Sequence, residues 1–143
     1  MRGAVVAVDY GARRTGLAAC DSLRIAAVPI GVVHTTDREE LIERIVDAVD
    51  ERNATTLVFG LPLHMGGHDS ERSRTVRALA ADVKNRLPNV DVVEVDERLT
   101  TKEATILLAQ AGLKGKKRKD FVDAVAAMII LKTYLKDEGL LEH

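Results

Sequence analysis

Carboxylates stand at three places in the chain where the neighbouring residues are apolar. Asp9 ends the apolar run AVVAVD, Asp96 and Glu97 follow the run VDVVEV, and Asp123 interrupts the apolar stretch FVDAVAAMIILKTYL. Such a charge is costly unless something pairs with it. A cluster of carboxylates without matching bases becomes stable when it holds divalent cations, and its hard oxygen ligands suit Mg²⁺ or Mn²⁺. Two such ions about 4 Å apart can activate water and stabilise the leaving oxygen in phosphodiester hydrolysis.

The acids also have purely structural interpretations. Asp9 could bind the amides of a turn or pair with Arg13 or Arg14. Asp123 could be an acid in the first turn of a helix, where the helix dipole favours it, although Asp120 is the better candidate for the N-cap. The acids after VDVVEV could pair with the arginine that follows them. A metal site therefore depends on whether the fold brings the acids to one end of a sheet.

Hydrophobic periodicity predicts the elements that must position these acids. Short apolar runs predict strands over residues 4–10, 15–20, 26–34, 56–61 and 90–95. Apolar residues at helical spacing predict helices that begin after Asp37, Ser70 and Thr100, and a last helix over 120–136. The links between the first three strands are too short for a parallel crossover, so these strands should pair antiparallel.

The order of elements predicts an α/β fold in one domain over residues 1–143. Strands and helices alternate after the third strand, which predicts parallel crossovers. We expect a five-stranded mixed sheet, with three antiparallel strands followed by two parallel ones and helices on both faces. Parallel strands bring their carboxyl ends to one edge, where ligands of α/β sheets tend to bind.

Composition excludes several classes of protein. The chain has 143 residues, 46% of them hydrophobic and 30% charged, which is typical of a globular domain. It has no run of about 18 apolar residues that would span a membrane and no signal peptide, so we expect a cytoplasmic protein. The lone Cys20 excludes a disulfide framework. His64 and His68 flank two glycines rather than sharing a helix face, which argues against a zinc site.

Basic residues are concentrated although the formal net charge is only −1. The segment KGKKRK, predicted to be a loop, carries five of them: Lys114, Lys116, Lys117, Arg118 and Lys119. Backbone phosphates respond to such a local patch and not to the total charge. Arg13 and Arg14 could contact phosphate in the same way. The alternative is that both groups simply keep their loops solvated.

Four blocks resemble the YqgF family, also called RuvX, of the RNase H-like superfamily. They are VAVDYGARRTGLAACD, VFGLPLHMGGHDS, VDERLTTKEA and KDFVDAVAAMIILKTYL, in family order over essentially the whole chain. The resemblance implies an RNase H-like fold and a metal-dependent nuclease. Members are described as Holliday junction resolvases or as nucleases that mature the 5′ end of pre-16S rRNA.

The resemblance also implies roles for individual residues. Asp9, Glu97 and Asp123 match the catalytic, metal-binding acids, and Asp96 is either a fourth acid or a residue that orients the others. His64 departs from the asparagine usual at its position, which leaves any substrate contact from that loop open.

Three neighbouring residues are supporting candidates. Tyr10 could stack on a base. Gly11 could bring the backbone close to substrate, or be an ordinary hairpin glycine. Thr100 caps the predicted third helix in a capping-box pattern, and phosphate binding at that helix N-terminus is the further option.

Two classes of function stay open. The first is a metal-dependent endonuclease acting on structured nucleic acid, either pre-rRNA or branched DNA. The second is a nucleic-acid-binding or ribosome-associated factor with weak or no catalysis. A junction resolvase makes two symmetric cuts and should be a homodimer, whereas an rRNA-processing nuclease needs no such symmetry. The choice between RNA and DNA, and between Mg²⁺ and Mn²⁺, stays open as well.

Overall fold

The computed structural model describes residues 3–62, 70–96 and 115–137. The strands are β1 (Ala4–Asp9), β2 (Arg14–Cys20), β3 (Val28–His34), β4 (Ala54–Leu61) and β5 (Asp91–Asp96). The helices are α1 (Arg38–Arg52), α2 (Glu71–Arg86) and α3 (Gly115–Asp137). The helix predicted to begin after Thr100 lies outside the described residues.

The strands form one five-stranded sheet in the order β3-β2-β1-β4-β5. β1 pairs antiparallel with β2, and β2 with β3, whereas β4 is parallel to both β1 and β5. The prediction of a mixed sheet is therefore confirmed. The short links after β1 and β2 leave no room for a crossover, while α1 and α2 supply the crossovers to β4 and β5.

Helices cover both faces of the sheet, as predicted. Alternation along β1 directs Val6 and Val8 into the core beneath α1 and α2, and Val5 and Ala7 into a second core beneath α3. Asp9 continues the second series. The last residue of β1 therefore belongs to the face that α3 covers.

The first two helices begin at the predicted caps. The Asp37 side chain accepts a hydrogen bond from the backbone N–H of Glu39 at 3.0 Å. Ser70 and Ser73 form a reciprocal capping box, in which each side chain accepts from the other residue's backbone N–H. The Ser70 hydroxyl also donates to the carbonyl of Pro62, at 2.9 Å. This bond ties the start of α2 to the carboxyl end of β4.

The prediction that the basic segment is a loop is wrong for residues 115–119, which form the start of α3. Lysine and arginine are good helix formers, so a run of them can extend a helix whose apolar part packs on a sheet. Asp120 is consequently not an N-cap. Asp123 lies eight residues after the helix start, about two turns in, and no acid occupies the first turn. The helix dipole therefore does not account for Asp123.

Candidate active site

Gly16 brings the last helix close enough to the sheet for Asp123 to approach Asp9. In the β1–β2 ladder Asp9 is the register partner of Gly16. A Cβ atom added at Gly16 would lie 1.9 Å from the carbonyl oxygen of Asp123 and 2.4 Å from its carbonyl carbon. A side chain of any size would therefore clash with the α3 backbone. The absence of a side chain at this point lets α3 lie directly on β2.

Asp9 and Asp123 line the same cleft at the carboxyl end of β1. The cleft has a volume of about 360 Å³. Its lining residues are Asp9, Tyr10, Gly11, Ala12, Arg13, Arg14, Arg72 and Asp123. Two of the three acids predicted to be catalytic thus line one polar cleft, although they lie 114 positions apart in the sequence.

An ion pair joins Asp123 to the turn after β1. The Nε atom of Arg14 donates to Oδ2 of Asp123 at 2.8 Å. The Asp123 side chain is 19% exposed and that of Arg14 is 38% exposed. A pair this accessible is screened by solvent and contributes only up to about 1 kcal/mol to stability. Arg14, which the sequence offered as a partner for Asp9, therefore contacts the other acid of the cleft.

Hydrogen bonds inside the turn between β1 and β2 stabilise it. The Thr15 hydroxyl, which is buried, donates to the carbonyl of Gly11 at 3.2 Å and accepts from its N–H at 3.3 Å. A Cβ atom at Gly11 would lie 2.1 Å from the carbonyl oxygen of Arg14. Gly11 is thus needed for the turn to close. The closed turn keeps Arg13 and Arg14 in the lining of the cleft with Asp9.

Arg72 is a residue of the cleft that sequence analysis missed. It lies in the first turn of α2, and its Nη2 donates to the carbonyl oxygen of Tyr10 at 2.6 Å. The Tyr10 ring packs partly against the core beneath α1 and α2. A signal for Gly16 was present, because a glycine inside a strand often marks a close backbone approach. No comparable signal marks Arg72, one of several arginines on an exposed helix face.

Asp96 ends β5 and points away from the two acids of the cleft. Val93 and Val95 face the core beneath α3, so alternation directs Asp96 to the opposite face. Glu97, Thr100, His64, His68 and Lys114 lie outside the described residues.

Within residues 3–62, 70–96 and 115–137 no group of three or more histidine, cysteine or acidic side chains is placed to hold a metal ion. Asp9 and Asp123 supply two carboxylates to the cleft. A third ligand would have to come from elsewhere in the chain or from substrate.

In residues 3–62, 70–96 and 115–137 no helix is long and apolar enough to cross a membrane.

A basic groove adjoins this polar cleft. It has a volume of about 380 Å³ and is lined by Arg13, Arg14, His34, Gly115 and Lys119. Arg13 and Arg14 line both the groove and the cleft.

The start of α3 supplies the rest of this basic surface. His34 Nε2 lies 3.1 Å from the Asp120 carboxylate, linking β3 to α3. Lys117, Arg118 and Lys119 are exposed there; Lys116 belongs to the same turn of helix, and its side chain is outside the described part. Of the predicted basic residues, Arg13 and Arg14 therefore line the cleft that holds the acids, and Lys119 lines the adjoining groove.

Comparison with solved structures defines the class of fold. The chain aligns with T. thermophilus RuvC in complex with a Holliday junction substrate, with a TM-score of 0.62 over 96% of this chain and 97% of that one, at 14% identity. The fowlpox virus Holliday junction resolvase aligns with a TM-score of 0.55 over 94% and 99% of the two chains, at 11% identity. At these identities the likeness concerns the fold, which is RNase H-like.

The chain belongs to the RuvX family. The family model, described as Holliday junction resolvase, matches residues 3–137. A protein of Bacteroides fragilis named "Putative pre-16S rRNA nuclease" is 37% identical over 95% of this chain and 98% of its own length. A protein of Dictyoglomus thermophilum with the same name is also 37% identical, over 95% and 97%. The identification made from the sequence motifs is confirmed. The chain is a nuclease, a hydrolase acting on phosphodiester bonds.

Proposed function

We propose that this chain is a divalent-metal-dependent endonuclease, folded as one domain over residues 1–143, whose catalytic acids are Asp9, Glu97 and Asp123. One observation carries the proposal. Asp9 at the end of β1 and Asp123 inside α3 line a single polar cleft, although the helix dipole gives Asp123 no reason to be there. Carboxylate oxygens brought together in one cleft are hard ligands that suit a divalent cation.

The chemistry of the cleft fits Mg²⁺ or Mn²⁺. Both described acids offer hard oxygen ligands, and the Oδ1 atom of Asp9 is buried. Glu97, the acid of the family motif DERLTT, is our candidate for the third ligand. Asp96, which is directed to the other face, would orient its neighbour rather than bind metal. When bound, the divalent ions would activate water and stabilise the leaving oxygen.

The protein's own basic residues would position the nucleic acid. Because Arg13 and Arg14 line both the polar cleft and the basic groove, a phosphate backbone in the groove would lead directly to the acids. The contact would continue along the start of α3 through Lys116, Lys117, Arg118 and Lys119, and Lys114 is a further candidate from the sequence. Binding should then weaken steeply with salt, because each neutralised phosphate releases counterions.

Two substrates remain candidates within this function. The names of the relatives favour 5′-end maturation of pre-16S rRNA, and the family description favours resolution of a Holliday junction. Junction resolution needs two sites facing one junction, and so a homodimer.

The alternative function is a nucleic-acid-binding or ribosome-associated factor with weak or no catalysis. It is favoured by the ion pair with Arg14, because Asp123 has a counterion there without any metal.

The test compares the wild-type protein with Asp9→Asn, a variant of nearly the same size. Labelled substrates are a mobile four-way DNA junction and a 5′-extended 16S rRNA precursor, free and within assembling subunits, each incubated with Mg²⁺, Mn²⁺ or EDTA. We expect metal-dependent cleavage of at least one substrate, abolished in Asp9→Asn. Symmetric nicks would assign the junction, and trimming of the RNA alone would assign rRNA maturation. Cleavage by Asp9→Asn at the wild-type rate would refute the site, and metal-independent binding without cleavage would support the alternative.

A further inference from the structure

The Arg14 side chain lies between the Asp123 carboxylate and the groove in which we expect phosphates, and one guanidinium cannot neutralise both fully. Its Nε atom is bonded to Oδ2 of Asp123 at 2.8 Å. The same side chain lines the basic groove where we expect phosphates. A guanidinium that neutralises a carboxylate in this way has less positive charge to offer a phosphate. The structure therefore contains a cation already placed on an acid that the proposed function assigns to metal.

We propose that Arg14 is the resident counterion of Asp123, that a divalent cation displaces it, and that the released guanidinium then binds a substrate phosphate. This inference rests on the proposed function, because it requires a metal to bind at Asp9 and Asp123. Metal and guanidinium compete for the same carboxylate. Metal binding therefore increases the affinity for nucleic acid, and nucleic acid increases the affinity for metal by the same factor.

The position of Arg14 suits such an exchange. Its backbone is fixed as the first residue of β2, opposite His34 in the β2–β3 ladder. Its side chain is 38% exposed, so the guanidinium can leave Asp123 without unpacking the core. The basic groove adjoins the cleft, and Arg14 lines both. The exchange therefore needs only a change of side-chain rotamer.

Arg13 provides a matched comparison within the same turn. It is also exposed and lines both cavities, but the ion pair with Asp123 is made by Arg14. Replacing either arginine by glutamine removes one positive charge beside the acids. Only the replacement of Arg14 removes the competitor for Asp123.

The first measurement is Mn²⁺ binding without nucleic acid, followed by electron paramagnetic resonance of the free ion. We expect Arg14→Gln to bind Mn²⁺ about 3- to 10-fold more tightly than wild type, the lower part of the usual range for coupling between sites because the pair is partly exposed. Arg13→Gln should change Mn²⁺ affinity less than twofold. Arg14→Lys, which keeps a cation at this position, should remain close to wild type. Circular dichroism confirms that each variant is folded.

The second measurement is binding of a labelled substrate strand in Ca²⁺ or in EDTA, with the strand checked for integrity. Metal should increase the affinity for the strand by a similar factor in the wild-type protein and in Arg13→Gln. In Arg14→Gln the factor should fall by about 3-fold or more, because no guanidinium is released. A merely structural role for Arg14 would weaken both ligands together and leave their coupling unchanged.

Two results would overturn the exchange. One is weaker or unchanged Mn²⁺ binding in Arg14→Gln, which would mean that Arg14 orients Asp123 for the metal or does not affect it. The other is equal metal dependence of nucleic-acid binding in wild type and Arg14→Gln. Failure of the proposed function looks different. In that case the wild-type protein itself would bind Mn²⁺ no better than Asp9→Asn and Asp123→Asn do.

Discussion

The close approach of α3 to β2 makes Gly16→Ala the sharpest test of how the cleft is assembled. The new Cβ atom would lie 1.9 Å from the carbonyl oxygen of Asp123 and 3.1 Å from the backbone nitrogen of Ala124. Ordinary contact begins near 3.4 Å, so backbone must give way by about 1.5 Å. No side-chain rotation can relieve this clash, since the atoms it meets belong to the helix backbone. The helix, and Asp123 with it, must move away from Asp9.

The size of that displacement sets the expected effects. A misplacement of about 1 Å in an active site can cost roughly 100-fold in rate, so we expect cleavage to fall about 100-fold. Overpacking of this kind costs about 1–3 kcal/mol in the free energy of unfolding. The melting temperature should then fall by about 3–10 °C, which leaves the variant folded at low assay temperature.

The assay is single-turnover cleavage at a temperature where circular dichroism shows each protein to be folded. Gly31→Ala is the matched control, because Gly31 also lies inside a strand but a Cβ atom there would meet nothing within 4 Å. Its φ of 155° makes alanine strained, so it too should lose stability while keeping its cleavage rate. Wild-type cleavage by Gly16→Ala, or an equal loss of rate in both variants, would refute the argument.

Three further predictions concern Arg72, the start of α3 and Cys20. Arg72→Gln should lower kcat/KM about 10-fold, because the Tyr10 carbonyl next to Asp9 loses its hydrogen bond from Arg72. Arg74→Gln, on the exposed face of α2, should leave kcat/KM unchanged. Equal effects of the two substitutions would contradict this role for Arg72. Replacing Lys117 and Lys119 by glutamine should reduce the steepness of the plot of log affinity against log salt concentration by about 1 for each lost phosphate contact. The affinity is measured by fluorescence anisotropy. Lys132→Gln is the control and should leave the slope unchanged. Burial raises the pKa of the Cys20 thiol, so stability is fully present below the ordinary thiol pKa and is lost as pH rises through the raised value. Cys20→Ala should remove this alkaline decline in urea unfolding, and a decline that persists would point to another group.

The directions of the strands could be predicted from the sequence because local features determine them, whereas their order in the sheet, with β4 beside β1, comes from the structure. The links after β1 and β2 are too short for anything but antiparallel pairing, and the caps at Asp37 and Ser70 mark where crossover helices begin. The start of α3 could not be predicted in this way. Its lysines and arginines suit a helix as well as a loop, and the packing of the apolar part of α3 on the sheet decides between them.

The sequence by itself determined which acids are out of place and to which family they belong. Asp9 and Asp123 stand in apolar surroundings, and the motifs around them are those of a RuvX nuclease. Only the tertiary structure decided that the two acids share a cleft, that Arg14 pairs with Asp123, and that Arg72 reaches the turn after β1. The physical reason is that these contacts join residues far apart in sequence. The position of Asp123 depends on how closely α3 packs against the backbone of β2 at Gly16; a glycine in a strand can mark a close approach, but no local pattern says which element approaches.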